Sequence, residues 1–216
     1  MELEIKNIQK RFRKAEILKD ASFKTSSGNC IGILGSNGTG KSTLLSILAG
    51  VQTPDSGEFL LDGQKPATAQ IGYVPQGTPL MEELTARDNL LLWYSKEAME
   101  QELKDGVLHM LGIGDFLNKQ VRKMSGGMKK RLSIGCAVAQ KPPVLLLDEP
   151  TAALDLICKE QIRHYLKAYK EQGGILLLTT HDPEELALCD ATYILKDGVL
   201  VPFCFDGDMQ KLVASL

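Results

Sequence analysis

Cys30-Ile31-Gly32-Ile33-Leu34-Gly35-Ser36-Asn37-Gly38-Thr39-Gly40-Lys41-Ser42-Thr43 is the stretch from which the architecture follows. An almost wholly apolar run, Cys30–Leu34, ends in a glycine-rich loop. The loop opens into a helical stretch, Lys41–Ala49, stopped by Gly50. Continuous apolar runs bounded by Gly, Pro or charge fit strands buried on both faces, as in a parallel sheet covered by helices. Gly35 to Ser42 fits the pattern Gly-x-x-x-x-Gly-Lys-Ser/Thr, and each part has a physical task. Glycines let consecutive backbone N–H groups curl around a phosphate, and the helix that starts there adds its positive end. Lys41 is expected to reach the β- and γ-phosphates, and the Ser42 hydroxyl to be placed for Mg²⁺.

Two further runs of the same kind, Val144–Leu147 and Ile175–Leu178, predict two more buried strands. The second follows a helical stretch, Lys159–Gln172, that ends at Gly173-Gly174. Alternation of strand, helix and strand implies an α/β layer architecture. Asp148 and Glu149 end the first of these runs. A parallel strand beside the phosphate loop would deliver both carboxylates to a nucleotide at its C-terminal edge. Asp148 would then hold Mg²⁺ through water, and Glu149 would face the attacking water as general base.

Around this core, Leu3, Ile5 and Ile8 among charged residues predict a half-exposed first strand. Asp62-Gly63 and Asp197-Gly198 each predict a tight hairpin. The middle of the chain, Leu84 to Gln140, is rich in Leu, Met, Glu and Lys at helical spacing and carries no convincing strand. It reads as a helical lobe inserted into the α/β core.

Composition excludes several classes. With 44% hydrophobic and 24% charged residues the chain is neither a disordered tail nor a low-complexity linker. A net charge of −2, from 25 basic and 27 acidic residues, forms no basic stripe, so nucleic acid is not expected as a partner. Cys30, Cys136, Cys158, Cys189 and Cys204 are odd in number and scattered. They predict neither a disulfide framework nor a zinc site, and a reducing cytosol is expected. The chain opens Met-Glu-Leu-Glu-Ile, which does not read as a secretory signal. Its apolar runs fall far short of the ~20 residues a membrane-crossing helix needs.

Taken together, the motifs closely resemble those of the ATP-binding subunits of ABC transporters, from about Leu3 to about Gly207. Met124-Ser125-Gly126-Gly127-Met128-Lys129-Lys130-Arg131 is similar to that family's signature, usually Leu-Ser-Gly-Gly-Gln, and stands shortly before Val144–Pro150 as in the family. Gln76, in Tyr73-Val74-Pro75-Gln76, resembles the Q-loop. Ala153-Leu154-Asp155 resembles the D-loop, and His181 the switch histidine. Phe12 falls where the family has an aromatic that stacks on adenine. The resemblance implies a P-loop NTPase (RecA-like) core formed by residues 28–56 and 141–216. It adds an antiparallel β lobe from 1–27 and 57–70, and a helical lobe from 77–140, all in one domain.

The family's cofactors, ATP and Mg²⁺, are implied with it. ATP would lie against Phe12, Gly35, Ser36, Asn37, Gly38, Thr39, Gly40, Lys41, Ser42 and Thr43. Ser42, Gln76 and Asp148 would hold the metal. Glu149, His181, Lys41 and Gln76 would serve hydrolysis. Ser125 can cap a helix whose first turn, Gly126-Gly127, exposes backbone N–H groups, a second anion site in its own right. In the family, two cassettes pair head to tail. Ser125, Gly126, Gly127 and Met128 would therefore face ATP held by a second ATPase subunit, with Asp155 nearby. Met128 in place of Gln looks like the ABC-2-type exporter branch.

A separate transmembrane permease is implied as well, docking near Gln76 and Leu84–Tyr94 on the inner face of the membrane. Trp93 reads as core, with a partner-facing groove as the alternative. His109 and His164 lie in polar helical stretches and are assigned no chemistry. The rival reading is a soluble ABC ATPase acting on the ribosome or on DNA. Gln76 and Ser125 are only 49 positions apart, too few for the long coiled coil of the repair and chromosome types.

Overall fold

The computed structural model describes residues 1–13 and 15–216. β1 (Glu2–Phe12) and β2 (Ala15–Ser26) pair antiparallel. β3 (Cys30–Leu34) follows and leads through the glycine-rich loop into α1 (Lys41–Leu48). β4 (Ser56–Leu61) pairs antiparallel with β1. β5 (Ile71–Val74) precedes the helical region, which holds α2 (Ala86–Leu91), α3 (Lys96–Asp105), α4 (Val107–Met110) and α5 (Gly126–Ala137). β6 (Val144–Asp148), α6 (Leu156–Glu171), β7 (Ile175–Thr179) and α7 (Pro183–Leu186) return to the sheet. β8 (Ala191–Lys196), β9 (Val199–Phe203) and α8 (Met209–Ser215) complete the described chain.

The nine strands run in the order β4-β1-β2-β9-β8-β3-β7-β6-β5. β8, β3, β7, β6 and β5 are mutually parallel. The antiparallel β4–β1–β2 group meets them through β9, which pairs antiparallel with β8 and is joined to β2 at Asp20–Val199. All three apolar runs are strands, buried at every position.

Their pleat divides the core into two. Val144, Leu146, Ile175 and Leu177 pack with Leu44, Leu45 and Leu48 of α1 on one side. Leu145, Leu147, Leu176 and Leu178 pack with Leu132 of α5 and with Ile162 and Leu166 of α6 on the other. Successive strand side chains point to opposite faces, so an unbroken apolar run needs helices on both. Each such side chain contributes roughly 1.5–3 kcal/mol on burial.

One reading holds in shortened form and one needs correction. Asp62 and Gly63, at φ +50° and +76°, make the expected tight turn, and Leu61 and Gln64 exchange backbone bonds at 2.8 and 3.1 Å, but the second arm ends at that bridge. Glu2 N donates to Asp62 Oδ1 at 2.6 Å, so the turn is fastened to β1, which is the partner of β4. Trp93 is not core: it is 57% exposed, because Leu90 and Tyr94 occupy the buried face of the α2 region. Asp197-Gly198 forms the β8–β9 hairpin as expected.

Candidate active site

Parallel strands place their C-terminal ends along one edge of the sheet, and four site segments leave from that edge. The phosphate loop follows β3, Gln76 follows β5, Asp148-Glu149 ends β6, and His181 follows β7. Phe12, Ile17, Asn37, Gly38, Gly40, Lys41, Ser42, Thr43, Gln76, Glu149 and His181 line one cavity of about 630 Å³. Gly40 needs its glycine twice over. Its φ is +107°, and a Cβ there would come within 2.6 Å of Ile17 Cγ2.

Lys41 is buried at the start of α1, and its Nζ donates to Gly35 O at 2.5 Å and Ser36 O at 3.1 Å. Burial pushes its pKa down, while Glu149 and Asp148 oppose that shift. Thr39 Oγ1 donates to Ser36 O at 3.0 Å and holds the loop's far side. Gly35, Ser36 and Thr39 form the loop but do not line the cavity.

Asp148 is buried beneath the edge, and its Oδ1 accepts from Thr179 Oγ1 at 2.6 Å. Glu149 turns up at φ +47°, its N–H donating to Thr179 O and Oγ1 at 3.1 and 3.0 Å. Gln76 Nε2 donates to Glu149 Oε2 at 3.0 Å. The two residues, 73 positions apart, thus share one hydrogen bond in the cleft. His181 has its pKa lowered by burial first and by the Lys41 cation second, with Glu149 opposing. Asp182, the N-cap of α7, is anchored by Lys159 at 2.7 Å and Arg163 at 2.9 Å, and this fixes the backbone beside His181.

Burial first, and then the charges of Lys41 and Glu149, set the titration of His181. Its midpoint should lie below the ordinary histidine value, so the ring is neutral at pH 7 and gains its proton only on acidification. Lys41→Met removes the second cause and should move the midpoint upward in an NMR pH titration. An unchanged midpoint would mean that Lys41 does not act on the ring.

The signature residues lie elsewhere. Ser125 is the N-cap of α5, its Oγ accepting from Met128 N at 3.3 Å. Gly127 packs on α6 so tightly that a Cβ would come within 2.4 Å of Cys158 Sγ. Asp155 caps α6, accepting from Cys158 N at 2.9 Å, a bond that heads the causes lowering its pKa. None of Ser125, Gly126, Gly127, Met128 and Asp155 lines the phosphate-loop cavity.

Phe12, 45% exposed, stands at the cavity mouth with Lys10 Nζ 5.6 Å from its ring centroid. Sequence reasoning missed Ile17, which packs directly against Gly40 in the cavity wall. It also missed Lys130, whose buried Nζ donates to Pro75 O at 3.0 Å and Gln76 O at 3.1 Å. That ammonium ties α5, the signature helix, to the backbone of the Gln76 segment. The run of basic residues after the signature was visible, but not which of them turns inward.

The acidic strand β6 does not lie beside β3 as the sequence suggested, because β7 pairs with both and separates them; the carboxylates still reach the same sheet edge. A strand–phosphate loop–helix unit with an acidic pair at the end of a parallel strand of the same sheet defines a P-loop NTPase. Comparison with known proteins specifies the family. The ABC transporter family pattern matches residues 18–152. The chain is 35% identical over 210 residues to the linearmycin resistance ATP-binding protein LnrL of Bacillus subtilis, covering 92% of this chain and 68% of that one. It is 33% identical to a probable sulfate/thiosulfate import ATP-binding protein, CysA, of Chlorella vulgaris, covering 98% and 93%. Among solved structures, an ATP-binding cassette in a dimeric, post-hydrolysis state bound to ADP and Pi superimposes with a TM-score of 0.82. It shares 28% identity over 95% of this chain and 100% of that one. The chain belongs to the ABC transporter family, as an ATP-binding, ATP-hydrolysing cassette.

Proposed function

We propose that residues 1–216 act as one ABC ATPase domain that powers a membrane exporter by ATP-driven pairing of two cassettes. The supporting observation is the single cavity that gathers Phe12, the phosphate loop, Gln76, Glu149 and His181 while leaving Ser125–Met128 outside it. Adenine stacks on Phe12. The α1 N-terminus and the loop amides hold the phosphates, with Lys41 turning from the loop carbonyls onto them. Glu149 takes a proton from the attacking water, oriented by Gln76, and His181 stays neutral beside the γ-phosphate.

Ser42, Gln76 and Asp148 offer only oxygen donors. This set suits Mg²⁺, which is usually held by one or two carboxylates together with substrate phosphates. Mg²⁺ would supply neutralisation of phosphate charge.

No helix among the described residues is long and apolar enough to cross a membrane. A transmembrane permease, which the family membership implies, is part of this reading, with the cassette held at the inner membrane face. A second cavity, of about 600 Å³, supports it. Leu80, Met81, Leu92 and Trp93 line that cavity together with Tyr73 and Ala137, between the sheet edge and the helical lobe. Export is favoured by Met128 in the signature and by the resistance-named relative, and the import-named relative makes direction the point to test. ATP-driven uptake into inside-out vesicles carrying cassette and permease supports export. Uptake into right-side-out vesicles loaded with ATP overturns it.

Trp93→Glu should leave basal ATPase within about twofold, since a substitution at an exposed site costs little stability. It should abolish stimulation by the permease, or co-purification with it. Unfolding of the isolated cassette, or normal stimulation, would remove this groove from the interface.

A further inference from the structure

At the sheet end opposite the nucleotide, Cys30 opens β3 and Cys189 stands just before β8. Their sulfurs are 3.6 Å apart although the residues are 159 positions apart in sequence. Main-chain bonds fix this approach. Asp190 N donates to Cys30 O at 2.8 Å, and Cys30 N donates to Asp190 Oδ2 at 2.7 Å. Lys170 Nζ holds Asp190 Oδ1 at 2.8 Å and Leu188 O at 3.1 Å. Gly32 leaves room for the thiol, since a Cβ there would lie 2.9 Å from Cys189 Sγ.

Access is one-sided. Cys30 is buried, whereas Cys189 is partly exposed and lines a cavity of about 460 Å³ beside Phe203, Cys204 and Phe205. We propose that Cys189 and Cys30 are a modification site at which a hydroperoxide forms a disulfide between β3 and the α7–β8 connection. The Cys189 thiolate attacks one oxygen of hydrogen peroxide, the O–O bond breaks, and hydroxide leaves and takes up the proton that Cys189 shed, giving water and a sulfenic acid on Cys189. The Cys30 sulfur then attacks Cys189 Sγ, the S–O bond breaks, and the sulfenic oxygen departs with the Cys30 proton as water. Two thiols are oxidised by two electrons, and the peroxide is reduced to two waters.

Closing from 3.6 Å to a bonded sulfur pair at about 2.05 Å asks the two sulfurs to approach by roughly 1.5 Å, between backbones tied through Asp190. Cys30 is pushed well above the usual thiol range, by its contact with Cys189 first and by burial second. It is therefore the resolving partner and not the attacking one. The bond would pin α7, the helix next to His181, to the strand that ends in the phosphate loop. In a reducing compartment such bonds are transient and serve redox sensing.

Hydrogen peroxide is added to the purified full chain, free thiols are then blocked, and the peptides are mapped by mass. Two of the five thiols should disappear, recovered as one Cys30–Cys189 peptide pair that dithiothreitol separates. A cross-link closing so long a loop should raise Tm by roughly 10 °C in the oxidised protein. Cys189→Ser and Cys30→Ser should each abolish both effects, and Cys204→Ser should leave both. A bond to Cys204, a Cys189 sulfinic acid beside a free Cys30, or a disulfide without a Tm rise overturns the proposal. These readouts use no ATP, so they stand apart from the fate of the transport reading.

Discussion

Glu149→Gln is expected to keep ATP binding and to lower turnover by about 10²–10⁴-fold, the range a positioned general base contributes. The amide is close in shape to the carboxylate and can occupy the same place. Its carbonyl oxygen can still accept from Gln76 Nε2, which now donates to Glu149 Oε2 at 3.0 Å. The backbone N–H bonds to Thr179 O and Oγ1 are indifferent to the side chain. Residue 149 keeps its φ of +47° at no new cost, since Glu and Gln have the same backbone preferences. What the substitution removes, on the proposed role of Glu149, is the capacity to take the water's proton.

Nucleotide should then accumulate unhydrolysed, and the variant should elute as a dimer from gel filtration when ATP is present. ATP release by a dimer would pull the population back to the open form only slowly, because hydrolysis is the step that removes the favoured ligand. Turnover at the parent rate would place the base elsewhere in the cleft. Loss of nucleotide binding would show that Glu149 carries affinity, not chemistry.

Much of the site was legible because its signals are local. A phosphate loop is one contiguous segment, and a buried strand ending in two acids is another. The parallel order of β3, β7, β6 and β5 then brings them to one edge without further instruction. Elements defined by distant pairing were less legible. β2 alternates cleanly only from Ala21 to Thr25, since its pairing with β1 shifts register between Ile5 and Ile8, between Ile8 and Lys10, and between Lys10 and Arg11. Its buried residues therefore fall at Leu18, Ala21, Phe23 and Thr25.

β5 is four residues long and contains Gly72, which weakens its strand signal. That glycine is required because a Cβ would meet Leu145 Cδ1 and Pro142 Cγ at 2.9 Å, contacts that only the folded chain creates. Trp93 shows the same limit from the other side. The run Leu90–Tyr94 has more apolar surface than one helix face can bury, and that excess was readable. Which residues stay outside depended on Leu90 and Tyr94 turning inward, with Tyr94 Oη donating to Gly135 O at 2.8 Å. The pairing of Cys30 with Cys189 was invisible for the same reason.

Ser125→Arg should reduce turnover by on the order of 10²-fold, the typical loss when one preorganised donor to developing charge is removed. ATP affinity of the isolated chain should change by less than about threefold, since the phosphate-loop cavity does not include Ser125. The reasoning is geometric. Ser125 Oγ accepts from Met128 N, which sets the first turn of α5. Gly126 faces open space: a methyl group on its Cα would find Leu154 Cδ2 as its nearest neighbour, at 3.8 Å. Backbone amides there are free to approach a phosphate held by another chain, and an arginine side chain would stand in that approach.

The substitution also removes a helix cap, worth about 1 kcal/mol. Ser125→Asn separates the two effects, because it keeps a capping oxygen without the long cationic side chain. It should hold the parent's thermal stability while losing less turnover than the arginine variant. Affinity measured on the monomer by fluorescence titration, set beside the steady-state rate, decides the matter. A large affinity loss with normal residual turnover would place Ser125 in its own chain's pocket. In that case two cassettes would not be needed to complete one site.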